Sequence, residues 1–124
     1  MNDYYYGEQI DTFTFYRVPK ALFITPRYKA LSAEAKILYG LLLDRAALST
    51  RNGWKDEHGQ IFIYYTVKEV MAEVGRSKQK AVRLLGELEH KADLIRRVKQ
   101  GLGKPNRIYV KNFAGAVDND SEHE

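Results

Sequence analysis

Gly101-Leu102-Gly103-Lys104 is the one run in this chain with the composition of a phosphate-cradling loop. The surrounding residues do not support that chemistry. A nucleotide P-loop needs G-x-x-x-x-G-K-[ST], with a hydroxyl for the metal and a helix to follow. Here Lys104 is followed by Pro105, and the next residues, Arg107-Ile108-Tyr109-Val110-Lys111, alternate like a strand. A dinucleotide fingerprint would require a third glycine that is missing. The other reactive side chains are equally scattered. His58, His90 and His123 form neither H-x-H nor H-E-x-x-H, and there is no G-x-S-x-G. With no cysteine, a disulfide framework, a cysteine-ligated zinc and a Cys–His pair are all excluded. Asp44, Asp56 and Glu57 stand as separate acids near a turn. Neither an enzyme nor a metal or cofactor site is expected.

The chemistry that remains is charge. The net charge of +4 is unevenly spread. Residues 1–75 balance nine basic against nine acidic side chains. From Arg76 to Lys111 there are eleven basic and three acidic residues, a net of +8. From Ala114 to Glu124 there are four acids and no base. A basic block of this density points to a polyanionic partner.

Several elements must hold that block in place. At 124 residues with 44% hydrophobic side chains, one domain with a real core is expected. The N-terminus is acidic and aromatic rather than basic and then apolar, so no signal peptide is expected. The apolar runs are too short to span a bilayer. A cytoplasmic location is the simplest expectation.

Asp11–Val18, rich in Thr and aromatics, reads as a strand or extended arm. Ser32 with Glu34 opens a first helix. Leu38, Leu41, Leu42 and Arg45 recur on one side of it, Ile37 and Leu48 widen the stripe, and the end falls near Leu48 to Thr50. Asn52-Gly53 and His58-Gly59 mark turns around Trp54. Ile61–Tyr65 is an aromatic strand. Thr66 and Glu69 make a capping box for a second helix, with Val67, Val70, Met71 and Val74 as its apolar stripe and Gly75 as its stop. Ser77 caps a third helix, with Ala81, Leu84, Leu85 and Leu88 inward. Lys78, Gln79, Arg83, Gly86, Glu87 and His90 face outward, and the end lies around Lys91 to Asp93. Leu94–Gln100 and Arg107–Phe113 form a hairpin around Gly101–Asn106.

Two helices joined by a glycine turn and followed directly by a hairpin give an α+β fold: a winged helix-turn-helix with an N-terminal strand or arm and a C-terminal β-hairpin wing. The GLGK run is then the wing tip, where glycine permits positive φ and lets backbone N–H groups approach a surface. Residues 1–113 are expected to form the DNA-binding domain and 114–124 an acidic linker or disordered tail.

In such a fold the second helix of the motif enters the major groove N-terminus first. The recognition-helix candidates are therefore Arg76, Ser77, Lys78, Gln79, Lys80 and Arg83. Gln79 and Arg83 suit bidentate contacts with base edges, and Lys78 and Lys80 suit phosphates. Ser77 is expected mainly to cap. In the wing, Lys99, Lys104, Asn106 and Arg107 are the DNA candidates. Arg96 and Arg97 lie further from the tip, and one of them is expected to pair with Glu89 or Asp93. Tyr4-Tyr5-Tyr6 and Tyr64-Tyr65 offer rings for stacking on single-stranded bases. For the second pair, strand alternation, which turns one ring inward, is the better account. The aromatic arm, Tyr4 to Tyr16, has no place in a minimal winged helix and is expected at a dimer interface.

Origin binding, operator binding by a transcriptional regulator of the same fold, and a protein-binding winged helix all fit this architecture. The basic helix and wing weigh against the last. One further observation favours the first. The segments RVPKALF (Arg17 to Phe23), LSAEAKILYGLLLDRAALS (Leu31 to Ser49), NGWKDEHGQIFI (Asn52 to Ile63) and QGLGKPNRIYVKNF (Gln100 to Phe113) resemble the N-terminal domain of the replication initiator protein A family. That family serves plasmids and integrative elements of Gram-positive bacteria. The resemblance implies a homodimeric winged helix that binds double-stranded DNA at repeated origin sites. It also implies a further C-terminal domain, reached by a variable linker, that engages host replication proteins. On that basis this chain is a fragment of a longer initiator or a truncated relative. The segment GRSKQKAVRLLGELEHKADL fits by pattern only, so base-contact residues do not carry over from the family.

Overall fold

The computed structural model describes residues 4–7 and 14–114. Residues 115–124 of the expected tail and residues 11–13 of the expected strand lie outside the described residues. Residues 14–18 form an arm with no strand pairing, so this stretch is arm rather than strand.

Two short helices that the sequence pattern does not announce come first, α1 (Ala21–Ile24) and α2 (Pro26–Lys29). Each follows a proline or starts on one, and Pro26 sits in the first turn, where its missing N–H costs nothing. They deliver Leu22 and Tyr28 to the core.

The long helix α3 (Ala33–Asn52) begins where Ser32 Oγ accepts the Ala35 N–H at 3.1 Å. It runs past the expected end to Gly53, whose φ of 73° supplies the left-handed cap. Ala35, Leu38, Leu41 and Leu42 are buried along it. Ile37 and Leu48, expected to widen this stripe, are half exposed. Lys36 is buried instead, with its ammonium 4.5 Å from the Phe23 ring. Arg45 lies 4.8 Å from the Tyr65 ring and pairs with Glu69 and Glu73 of the next helix at 3.2 and 3.4 Å.

Strand β1 (Phe62–Tyr64), helix α4 (Val67–Val74), helix α5 (Lys78–Gly86), strand β2 (Ile95–Val98) and strand β3 (Arg107–Val110) complete the fold. The three strands form an antiparallel sheet in the order β1-β3-β2. Ile63 and Ile108 are cross-strand partners on its inner face, with Ile95 alongside. Buried hydroxyls of α2 and α3 tie the sheet down: Tyr28 donates to the Phe113 carbonyl, Tyr39 to that of Lys111, and Ser49 to that of Phe62. Each hydroxyl donates to a carbonyl in or beside a strand, a polar group that needs a partner when buried.

The capping box expected at α4 is present. Thr66 Oγ1 accepts the Glu69 N–H, and Glu69 Oε1 accepts the Thr66 N–H. Val70 is fully buried, while Val67, Met71 and Val74 pack partly against the core. Helix α5 is α-helical to Gly86 and continues as a π turn over Glu87–Lys91. Glu87, expected on the outward face, instead accepts both the N–H and the hydroxyl of Ser32 at 2.9 Å. This correction follows from the bundle, which brings the start of α3 against the end of α5. No helix among the described residues is long and apolar enough to cross a membrane.

Candidate nucleic-acid interface

Helix α4, a glycine turn and helix α5 build the basic edge of the molecule. Gly75 stops α4 at φ 76°, a conformation open to glycine at little cost. Ser77 starts α5 by accepting the Lys80 N–H at 3.3 Å, which commits its hydroxyl to the cap as expected. Ala81, Leu84 and Leu85 face the core. The same register turns Lys78, Gln79 and Arg83 outward, and all three are exposed. Gln79 and Arg83 are four positions apart and so share one helix face.

The remaining two helix candidates behave differently. Arg76 Nη1 lies 2.9 Å from Glu34 Oε2, and Lys80 Nζ lies 3.6 Å from Glu34 Oε1. One carboxylate from the first turn of α3 therefore holds two of the predicted DNA-contacting cations.

The wing extends from β2 and β3. Gly101 and Gly103 take φ values of 122° and 76°, as the tip reading required. The Lys104 N–H donates to the Gly101 carbonyl at 3.2 Å, and the Gln100 amide closes the loop onto the Pro105 carbonyl at 2.9 Å. Lys99, Lys104 and Asn106 are exposed. Lys104 and Asn106 also line a groove with Thr66, Val67 and Leu85, so the wing and the helix-turn-helix share one concave side. Leu102 stands fully exposed at the tip. It was not singled out from sequence, though an apolar residue between two turn glycines was its signal. Such a side chain suits a minor groove, where apolar wedges meet sugar and base edges.

Arg107 sits at the base of the wing, on the outer face of the sheet rather than at the tip. Its guanidinium lies 4.3 Å from the Phe62 ring. The Tyr109 and Tyr64 hydroxyls hold its pKa above the ordinary arginine value. Arg96 likewise covers Tyr109 at 5.0 Å. Of the tyrosine pair, Tyr65 is buried and Tyr64 lies on the outer face, packed edge-on against Trp54 and Phe62. Arg97 pairs with Glu89 at 2.8 Å, one of the two pairings expected for the strand arginines. Asp93 is taken by Lys111 at 2.6 Å and by Arg27 at 3.8 Å. Among the described residues, no group of three or more His, Cys, Asp or Glu side chains is placed to hold a metal ion.

A helix-turn-helix whose second helix presents exposed basic and amide side chains beside a glycine-tipped hairpin is the arrangement of a winged helix. The model of the replication initiator protein A (RepA) N-terminus family matches residues 14–122. The chain belongs to this family. Among curated relatives, a 41 kDa protein of Lactobacillus helveticus is 30% identical over 114 residues, covering 86% of this chain and 31% of that protein. The chain thus spans about a third of the length of the curated relative it matches. Solved structures agree with the RepA N-terminal fold. The N-terminal domain of a DNA binding protein is similar with a TM-score of 0.73 at 28% identity, covering 100% of this chain and 98% of that one. A chain from a Rep–DNA complex is similar with the same score and identity, over 98% of each chain. An MDR initiator is similar at 32% identity and a TM-score of 0.68, over 96% of this chain and 98% of that one.

Proposed function

We propose that this chain is the duplex-recognition domain of a replication initiator and binds repeated sites in a replication origin as a dimer. The observation that carries this reading is that α5 exposes Gln79 and Arg83 on one face while the wing exposes Lys99, Lys104 and Asn106, the last two beside a groove shared with the helix-turn-helix. Amide and guanidinium groups at that position fit purine edges in a major groove. Lys78, Lys99 and Lys104 fit the phosphates that fix the register, and Leu102 with the glycine-rich tip fits the adjoining minor groove. Likeness to a chain from a Rep–DNA complex supports the same assignment. This is binding without chemistry on the DNA, carried out in the cytoplasm where the replicon lies.

Repeated half-sites are commonly read by pairs of subunits. The exposed rings of Tyr4, Phe15 and Tyr16 supply apolar surface for that pairing. Residues 1–113 serve as the binding domain, and 114–124 as an acidic linker or disordered tail. Contacts with host replication proteins belong to a further C-terminal domain.

The test is titration of the chain against short duplexes tiled across its own replicon, with a scrambled competitor. Tight binding confined to a repeated element in the origin is the expected result. Binding confined to a promoter operator would make the chain a regulator instead. Uniform weak binding to every tile would leave only the electrostatic attraction.

A further inference from the structure

The recognition helix does not present all its charge. Glu34, in the first turn of α3, places one carboxylate oxygen 2.9 Å from Arg76 and the other 3.6 Å from Lys80. Arg76 belongs to the turn of the helix-turn-helix and Lys80 to the first turns of α5. The Lys80 side chain is only 21% exposed, so the pairing also folds its stem against the protein. Exposed ion pairs contribute little to stability, typically under about 1 kcal/mol. Glu34 also already gains from the helix dipole without either cation. Stability alone is therefore a weak reason for one carboxylate to reach both. The position matters more. The carboxylate lies where the motif would meet a phosphate backbone, and a negative charge there repels DNA while occupying two cations that would otherwise attract it.

We propose that Glu34 limits the strength of the sequence-independent attraction between this interface and DNA. By holding Arg76 and Lys80, it keeps them from making sequence-independent phosphate contacts and leaves discrimination to the uncommitted Gln79 and Arg83. Non-specific affinity scales with the number of phosphates neutralised, whereas base-edge contacts set the preference between sites. Withholding two cations lowers affinity for every sequence alike and leaves the preference between sites to the base contacts. This inference rests on the duplex-binding reading.

The experiment compares the wild-type chain with Glu34→Gln on the preferred duplex and on a scrambled duplex, over a salt range of about 50 to 200 mM. Glutamine keeps the shape and one hydrogen-bond acceptor, and thermal melting confirms that the variant is folded. A second variant, Glu34→Gln with Arg76→Ala and Lys80→Ala, removes the released cations. For Glu34→Gln, the expected result is tighter binding to both duplexes by a similar factor, with the ratio of specific to scrambled affinity nearly unchanged. The affinity lost across that salt range should grow by about three- to twelve-fold, as one or two added phosphate contacts require. The triple variant should return the scrambled-duplex affinity to the wild-type level or below.

An unchanged salt slope and unchanged affinity for both duplexes in Glu34→Gln would overturn the proposal. Loss of affinity for the preferred duplex alone would overturn it too, because Glu34 would then position Arg76 for contact rather than withhold it. Failure of the wild-type chain to bind any duplex would instead defeat the DNA reading itself, before any variant is compared.

Discussion

Arg97 and Glu89 join the wing to the end of the recognition helix through two parallel bonds. The Arg97 Nε–H donates to one Glu89 oxygen at 2.8 Å, and the Arg97 backbone N–H donates to the other at 2.9 Å. Helix and hairpin are thereby held in one orientation, as the proposed groove-spanning interface would require. Glu89→Ala should cost about 1–2 kcal/mol of stability, the scale of a charged hydrogen-bonded pair with one end near water. It should also weaken DNA binding by loosening the wing. Chemical denaturation and duplex titration on the same variant check both effects.

The same contact sets an acid dependence. Burial raises the Glu89 pKa, but the Arg97 hydrogen bonds and charge outweigh it and hold the carboxyl below its ordinary value of 4.5. A depressed folded-state pKa gives stability that is fully present above 4.5 and lost as pH falls through the lower folded value. Glu89→Gln should therefore flatten the acid limb of a stability–pH curve below 4.5 and leave its shape near neutrality unchanged. Thermal melts stepped through the acid range provide the check, and an unaltered acid limb would contradict it.

Gly40 records a close crossing. A Cβ at this position would lie 2.8 Å from the Arg17 carbonyl and 3.0 Å from Val18 Cγ2. Gly40→Ala gains about 1 kcal/mol of helix propensity. Displacing the arm backbone is expected to cost about 1–3 kcal/mol, so the net change should be a loss or near zero rather than a gain. Faster cleavage by a trypsin-like protease at Arg17 would show the arm lifting. A more stable, protease-resistant Gly40→Ala would mean the arm does not pack there.

The proposed dimer rests on the arm. Deleting residues 1–11 should shift the chain toward monomer in sedimentation and lower the apparent affinity for paired sites more than for single ones. An undiminished dimer would place the interface elsewhere.

Much of this organisation is legible in the sequence because it is local. Thr66 with Glu69, Gly75, Ser77 and the Gly101–Gly103 tip mark their own structures through capping and positive φ, whatever surrounds them. What sequence does not reveal is what long-range packing brings together. Glu34 lies 42 positions from Arg76, and Ser32 lies 55 from Glu87. No periodicity encodes either meeting, so Arg76 and Lys80 read as free cations and Glu87 as an outward one. The short helices α1 and α2 escape notice because four residues carry no repeat. Arg107 alternates correctly along its strand, but alternation does not reveal that the outer face is lined by Phe62, Tyr64 and Tyr109.

The division of labour between α5 and the wing is tested most directly by Arg83→Ala and Lys104→Ala, each titrated on the preferred and scrambled duplexes over a range of salt. Arg83→Ala should reduce discrimination between the two by about 1–3 kcal/mol and leave wild-type binding to the scrambled duplex nearly intact. Lys104→Ala should weaken both duplexes alike and flatten the salt slope by about one. The reverse pattern, with discrimination lost at Lys104 and a uniform, salt-dependent loss at Arg83, would contradict a recognition helix that reads bases beside a wing that holds phosphates.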